Sequence, residues 1–136
     1  MKPLSILSLV LRIGIAIIFI QTLYYKFTAH PDSVHIFSAL GAEPFGRIGL
    51  GIIELITAIL LLIPRTKLWG ILIGLGIISG AIFSHLLVIG TEVKGDSGGL
   101  FLLAIIVMIA SLILIFIHKD EFKKLVNSLK TKYLKK

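Results

Sequence analysis

The sequence predicts an all-α fold: a four-transmembrane-helix bundle with a short outer-loop helix and a C-terminal amphipathic surface helix. Three observations predict it. The chain is 57% hydrophobic with a mean hydropathy of +1.04, where soluble domains average about 45–50% apolar. Four long apolar runs are separated by short breaks carrying Pro, Gly and charge. The charges avoid those runs and collect at one end, whereas a soluble protein spreads them over its whole surface.

A spanning helix needs roughly 20 mostly apolar residues. The runs Leu4–Tyr25, Gly46–Ile63, Leu68–Ile89 and Gly98–Ile117 meet that length. Pro64-Arg65 ends the second, Gly90 ends the third, and the fourth holds no charge. The second contains Arg47 and Glu54 but also eleven Ile and Leu residues. At about −0.3 to −0.6 kcal/mol each, these offset the roughly +3 kcal/mol of one central Glu. Arg47 lies near the end, where it can snorkel. Lys2 before an apolar stretch raises the question of a signal peptide. The run is long enough to span, Arg12 interrupts it and no small-residue cleavage site follows, so the helix is expected to remain. Residues 1–118 thus form a membrane domain, and 119–136 form a basic tail.

Between the first two spans, His30-Pro31-Asp32 can start and Gly41 can stop a short helix over Ser33–Leu40. Its apolar residues would lie in the interface or fold back onto the bundle. In the tail, Phe122, Leu125, Val126, Leu129 and Tyr133 recur at helical spacing with lysines between them, the pattern of a helix lying on a membrane surface. In the third span, Gly70–Gly74 and Gly76–Gly80 have the small-xxx-small spacing that lets helices approach closely. This serves packing within the bundle or between protomers, so homo-oligomerisation stays open.

The net charge is +7 and the pI about 9.9. Seven of the fourteen basic residues lie in the tail, which suits anionic membrane lipids rather than nucleic acid. Lys2, Arg65, Lys67 and the tail share one side of a four-span protein, and the positive-inside rule places both termini in the cytoplasm, in the inner membrane. With no cysteine, thiolate metal sites, iron–sulfur clusters and thiol redox chemistry by this chain are excluded. No Walker loop, dinucleotide fingerprint, zincin motif or nucleophile elbow is present.

Ionisable residues at membrane depth are the functional clue. At about 1.5 Å per residue, Arg12 lies about 12 Å and Glu54 about 14–15 Å from the cytoplasmic end, so the two are expected to pair near the midplane. Arg12 and Lys26 share one face of the first helix, and Arg47 and Glu54 share one face of the second. Lys26, Arg47 and His85 lie further toward the outer side. The candidate intramembrane polar site is therefore Arg12, Lys26, Arg47, Glu54 and His85. Such residues either lock helix pairing or serve a ligand. Gln21 falls on the opposite side from Arg12 and is left out. No metal site is expected, because His85 lacks a second ligand at plausible spacing. His30, His35 and His118 read as surface histidines.

Several short segments, taken in order, resemble the DoxX family of small four-helix membrane proteins. They are Arg12-Ile13-Gly14, Phe19 and Lys26-Phe27 in the first helix, and Gly51-Ile52-Ile53-Glu54-Leu55 in the second. Ala81-Ile82-Phe83-Ser84-His85 ends the third, and Gly95-Asp96-Ser97-Gly98-Gly99 precedes the fourth. Thr22 departs from the small residue, often glycine, expected before the lysine. The resemblance implies a membrane subunit of a quinone-linked redox system, with redox partner proteins supplying the electrons. His85 or Lys26 would donate a hydrogen bond to a quinone carbonyl, and Glu54 would relay a proton. The alternative is a non-enzymatic module for small-solute transport or partner scaffolding.

Overall fold

The computed structural model describes residues 2–135, and they form an all-α protein. In chain order the helices are α1 (Pro3–Phe27), α2 (Pro31–Ala39), α3 (Phe45–Leu62), α4 (Lys67–Ser84), α5 (Gly99–Ile117) and α6 (Lys119–Leu134). A π-helical turn, His85–Ile89, extends α4. Helices α1, α3 and α5, and α4 with its π turn, are each long and apolar enough to cross a membrane, as expected of a multi-pass membrane protein. They pack in a ring in the order α1, α3, α4, α5, and α5 closes back onto α1. The first turns of α1, the α3–α4 turn and the α5–α6 junction lie at one end of this bundle, the terminal end, where Ser8 meets His118 and Lys67 meets Glu121. Helix α2 and residues 90–98 lie at the other, the far end.

The core is a narrow seam along the axis. Ile15, Ala16 and Phe19 meet Ala58 and Leu61 from α3, Ile71 and Ile78 from α4, and Ala104, Val107 and Leu114 from α5. Large apolar side chains also cover the outside, with Leu87 77% and Phe116 70% exposed. An apolar exterior this extensive is costly in water and favourable against lipid.

The two glycine pairs of α4 do different jobs. A Cβ on Gly70 would sit 2.7 Å from the Leu61 amide nitrogen and 3.0 Å from the Leu60 carbonyl carbon. One on Gly74 would touch the Phe19 ring at 3.4 Å and the Thr57 methyl at 3.5 Å. Gly70 lets α4 lie against the α3 backbone, and Gly74 makes room for the Phe19 ring. At Gly76 and Gly80 a Cβ would have nothing within 4 Å. Gly70→Ala should therefore destabilise the bundle by about 1–3 kcal/mol, because backbone atoms cannot step aside. Gly76→Ala should be neutral or gain up to about 1 kcal/mol of helix propensity. Thermal melts of the two variants in detergent check this contrast.

Helix α2 folds back onto the far end, burying Phe37 and Ser33. His30 caps it, accepting from the Asp32 amide at 3.2 Å, and Gly41 leaves it with φ +68°. Helix α6 has no buried residue, but Phe122 packs against the edge of the core and Lys67 reaches Glu121 at 3.3 Å.

Candidate functional site

A cavity of about 870 Å3 occupies the far half of the bundle. Helix α2 lies over it, α1, α3, α4 and α5 wall it, and Lys26, Glu54 and His85 are on its lining. Gly76 and Gly80 line it too, and neither has a neighbour within 4 Å of where a Cβ would stand. Gln21 on α1, Gly76 and Gly80 on α4 and Leu102 on α5 are exposed and line it, so the cavity is open to the outside of the bundle.

The charged centre of the wall is a buried pair. Lys26 Nζ lies 2.9 Å from Glu54 Oε2, with the side chains 11% and 6% exposed. The Thr22 hydroxyl lies 2.8 Å from the same oxygen and 2.8 Å from the Phe19 carbonyl, so its one hydrogen is shared between the two acceptors. Thr22 thus lies beside the carboxylate. Gln21, left out of the candidate site, is on the cavity lining.

The expected Arg12–Glu54 pair is not formed. Arg12 NH1 instead donates to the Leu61 carbonyl at 2.8 Å, one of the C-terminal carbonyls of α3 that lack a helical partner and carry the negative end of its dipole. Its Nε is the one fully enclosed side-chain nitrogen or oxygen without a partner among the described residues. The physical reason is direction. A helical side chain leans toward the N-terminus of its own helix. Helices α1 and α3 run antiparallel, so Arg12 leans toward the terminal end while Glu54 leans toward the far end. Lys26, higher on α1, leans down to meet it.

Arg47 also stays out of the cavity. Its Nε donates to both oxygens of Glu43, at 2.9 and 3.0 Å, and NH2 lies 2.7 Å from Oε1. NH1 donates to the Lys26 carbonyl and so satisfies the last turn of α1. Of the five candidate residues, Lys26, Glu54 and His85 come together, whereas Arg12 and Arg47 fasten helix ends.

His85 is held by the π turn. The Gly90 amide donates to the His85 carbonyl at 2.8 Å, and Gly90 adopts φ +88°, a conformation that favours glycine. His85 Nδ1 lies 2.8 Å from the Gly90 carbonyl. A carbonyl oxygen only accepts, so Nδ1 carries the hydrogen. In the neutral ring the remaining nitrogen, Nε2, is then an acceptor.

Asp96 fixes the loop beside it. Its carboxylate accepts from the amides of Val93 and Gly98 at 2.9 Å and of Leu100 at 3.0 Å, capping α5. These bonds, Val93 first and Leu100 next, hold the carboxyl below the usual range, with His85 adding a smaller pull. A lowered folded-state pKa gives stability that is complete above the unfolded value and lost as pH falls through the folded one. Thermal stability in detergent should thus decline below about pH 4, and Asp96→Asn should flatten that decline.

His118 is not a surface histidine. It is 7% exposed; Ser8 Oγ donates to its Nε2 at 2.6 Å and its Nδ1 donates to Glu121 at 2.7 Å. Burial raises the Glu121 pKa, but the bonds from His118 and Lys67 outweigh it and the carboxyl lies low. The order Ser–His–Glu is that of a hydrolytic triad, yet Ser8 is 2% exposed and does not line the cavity. The chain of bonds ties α6 to α1.

No protein-family model, curated protein or solved structure matches the chain.

Proposed function

We propose that the chain is a DoxX-like integral membrane protein whose cavity binds a lipid-soluble quinone, as the membrane subunit of a quinone-linked redox system. The observation that carries this reading is an apolar-walled cavity of about 870 Å3 with Lys26, Glu54 and His85 on its lining. Small-molecule sites typically enclose roughly 300–1,000 Å3 and combine apolar walls with a few placed polar groups. A quinone asks for that combination. Its ring and tail take the apolar walls, and its oxygens take the polar groups. Lys26 spends one ammonium hydrogen on Glu54 and has others for a ligand oxygen. Exposed lining residues on membrane-length helices, Gln21, Gly76, Gly80 and Leu102, suit a ligand that arrives from the lipid. The chain has no cysteine, so electrons come from a redox partner protein.

In this reading the terminal end faces the cytoplasm across the inner membrane, and α6 lies on the inner leaflet with its apolar stripe down and its lysines at the headgroups. Reporter fusions at Lys136 and within Glu92–Asp96 should report opposite sides of the membrane, and the same side for both would overturn the topology. The functional test is lipid extraction of the purified protein, followed by quinone binding after reconstitution. Co-purifying quinone and saturable binding are expected. Protein that binds no quinone, alone or with co-purified partners, would overturn the reading.

A further inference from the structure

Resting on the reading that the cavity holds a lipid-soluble quinone, we infer that it selects the reduced, hydroxyl-bearing quinol over the oxidised dicarbonyl form, with His85 Nε2 as the group that discriminates. The ring lines the cavity, is 6% exposed, and packs edge-on to Phe101 with centroids 5.5 Å apart. Its Nδ1 hydrogen is committed to the Gly90 carbonyl. Turning the ring over would leave that carbonyl facing a C–H group, so the π turn fixes both the tautomer and the orientation.

Nε2 has no bonded partner among the described residues, and it is not enclosed, since Arg12 Nε is the one enclosed unpartnered atom among them. With the ring on the cavity lining, the cavity is the space assigned here for Nε2 to face. Glu54 is already paired with Lys26 at 2.9 Å, so Nε2 is the acceptor left to tell the two ligand forms apart, with Lys26 as a donor on the same lining.

A quinone oxygen only accepts. Against neutral His85 it sets lone pair against lone pair in a largely apolar site, where an unpaired polar group is costly. A quinol hydroxyl donates to Nε2 and satisfies both groups. Lys26 serves either form, because a carbonyl and a hydroxyl oxygen both accept from it, so it does not discriminate. Sites built to bond a ligand hydroxyl reject analogues without one far more strongly than apolar pockets reject a missing methylene.

The test is anaerobic equilibrium dialysis of the full chain in detergent against three probes: a short-tailed naphthoquinone, its two-electron-reduced quinol and the dimethyl ether of that quinol. The wild type should bind the quinol at least about tenfold more tightly than the other two, and His85→Phe, which keeps an aromatic ring but no acceptor, should bring all three within about threefold. A wild type that binds the quinone or the diether as tightly as the quinol would overturn the inference and leave the quinone reading standing. A folded His85→Phe protein with its preference intact would do the same. Binding of none of the probes would remove both. If His85→Phe does not fold, the wild-type comparison of quinol with diether decides alone.

Discussion

Glu54→Leu should destabilise the folded bundle by about 3–5 kcal/mol, the usual consequence of removing one partner from a buried ion pair and leaving the other charge without compensation. The remaining charge is Lys26, whose side chain is 11% exposed. Lys26→Met should cost a similar amount, since Glu54 would keep only the Thr22 hydroxyl. The double change should cost much less than the sum, because it removes both desolvated charges together. Arg12 supplies the control. It bonds the Leu61 carbonyl rather than Glu54, so Arg12→Leu and Glu54→Leu should add to within about 0.3–0.5 kcal/mol. Double-mutant cycles on unfolding in detergent measure both couplings. Strong coupling of Arg12 with Glu54, or none between Lys26 and Glu54, would contradict the pairing in the structure.

Filling the cavity should abolish ligand binding without harming the fold. Gly76→Leu/Gly80→Leu places two branched side chains where a Cβ meets nothing within 4 Å, on a helix that lines the cavity. Replacing helical glycine with leucine gains roughly 0.5–1 kcal/mol of propensity per site, so the melting temperature should hold or rise. Quinone binding by the reconstituted protein should fall by at least about tenfold, the loss of roughly 1.4 kcal/mol. Opposite effects on stability and binding separate a blocked site from a damaged one. A stable double variant that binds quinone as the wild type does would place the ligand elsewhere.

The linear pattern alone determined the helices. A stretch of about 20 apolar residues has few alternatives to a spanning helix, because unpaired backbone groups are so costly in lipid. Their ends follow from Pro64-Arg65, Gly90 and the Asp96–Gly99 segment, which act locally. Composition likewise identified Lys26, Glu54 and His85, since ionisable residues within such runs are conspicuous. Tertiary structure decided their partners. Counting residues gives the depth of a backbone position, but a lysine or arginine side chain spans more than a helical turn and leans toward its helix N-terminus. On antiparallel helices that lean separates Arg12 from Glu54 and joins Lys26 to it. The lean was legible in principle; which helices would be neighbours was not. Gly70 and Gly76 open motifs of identical spacing, yet the α3 backbone covers one and empty space the other. His118 follows the last span like any interfacial residue, and only the approach of Ser8, 110 residues away in sequence, buries it. Helix formation is local along the chain, whereas pairing and cavity shape depend on which faces meet, and periodicity marks a face without naming its neighbour.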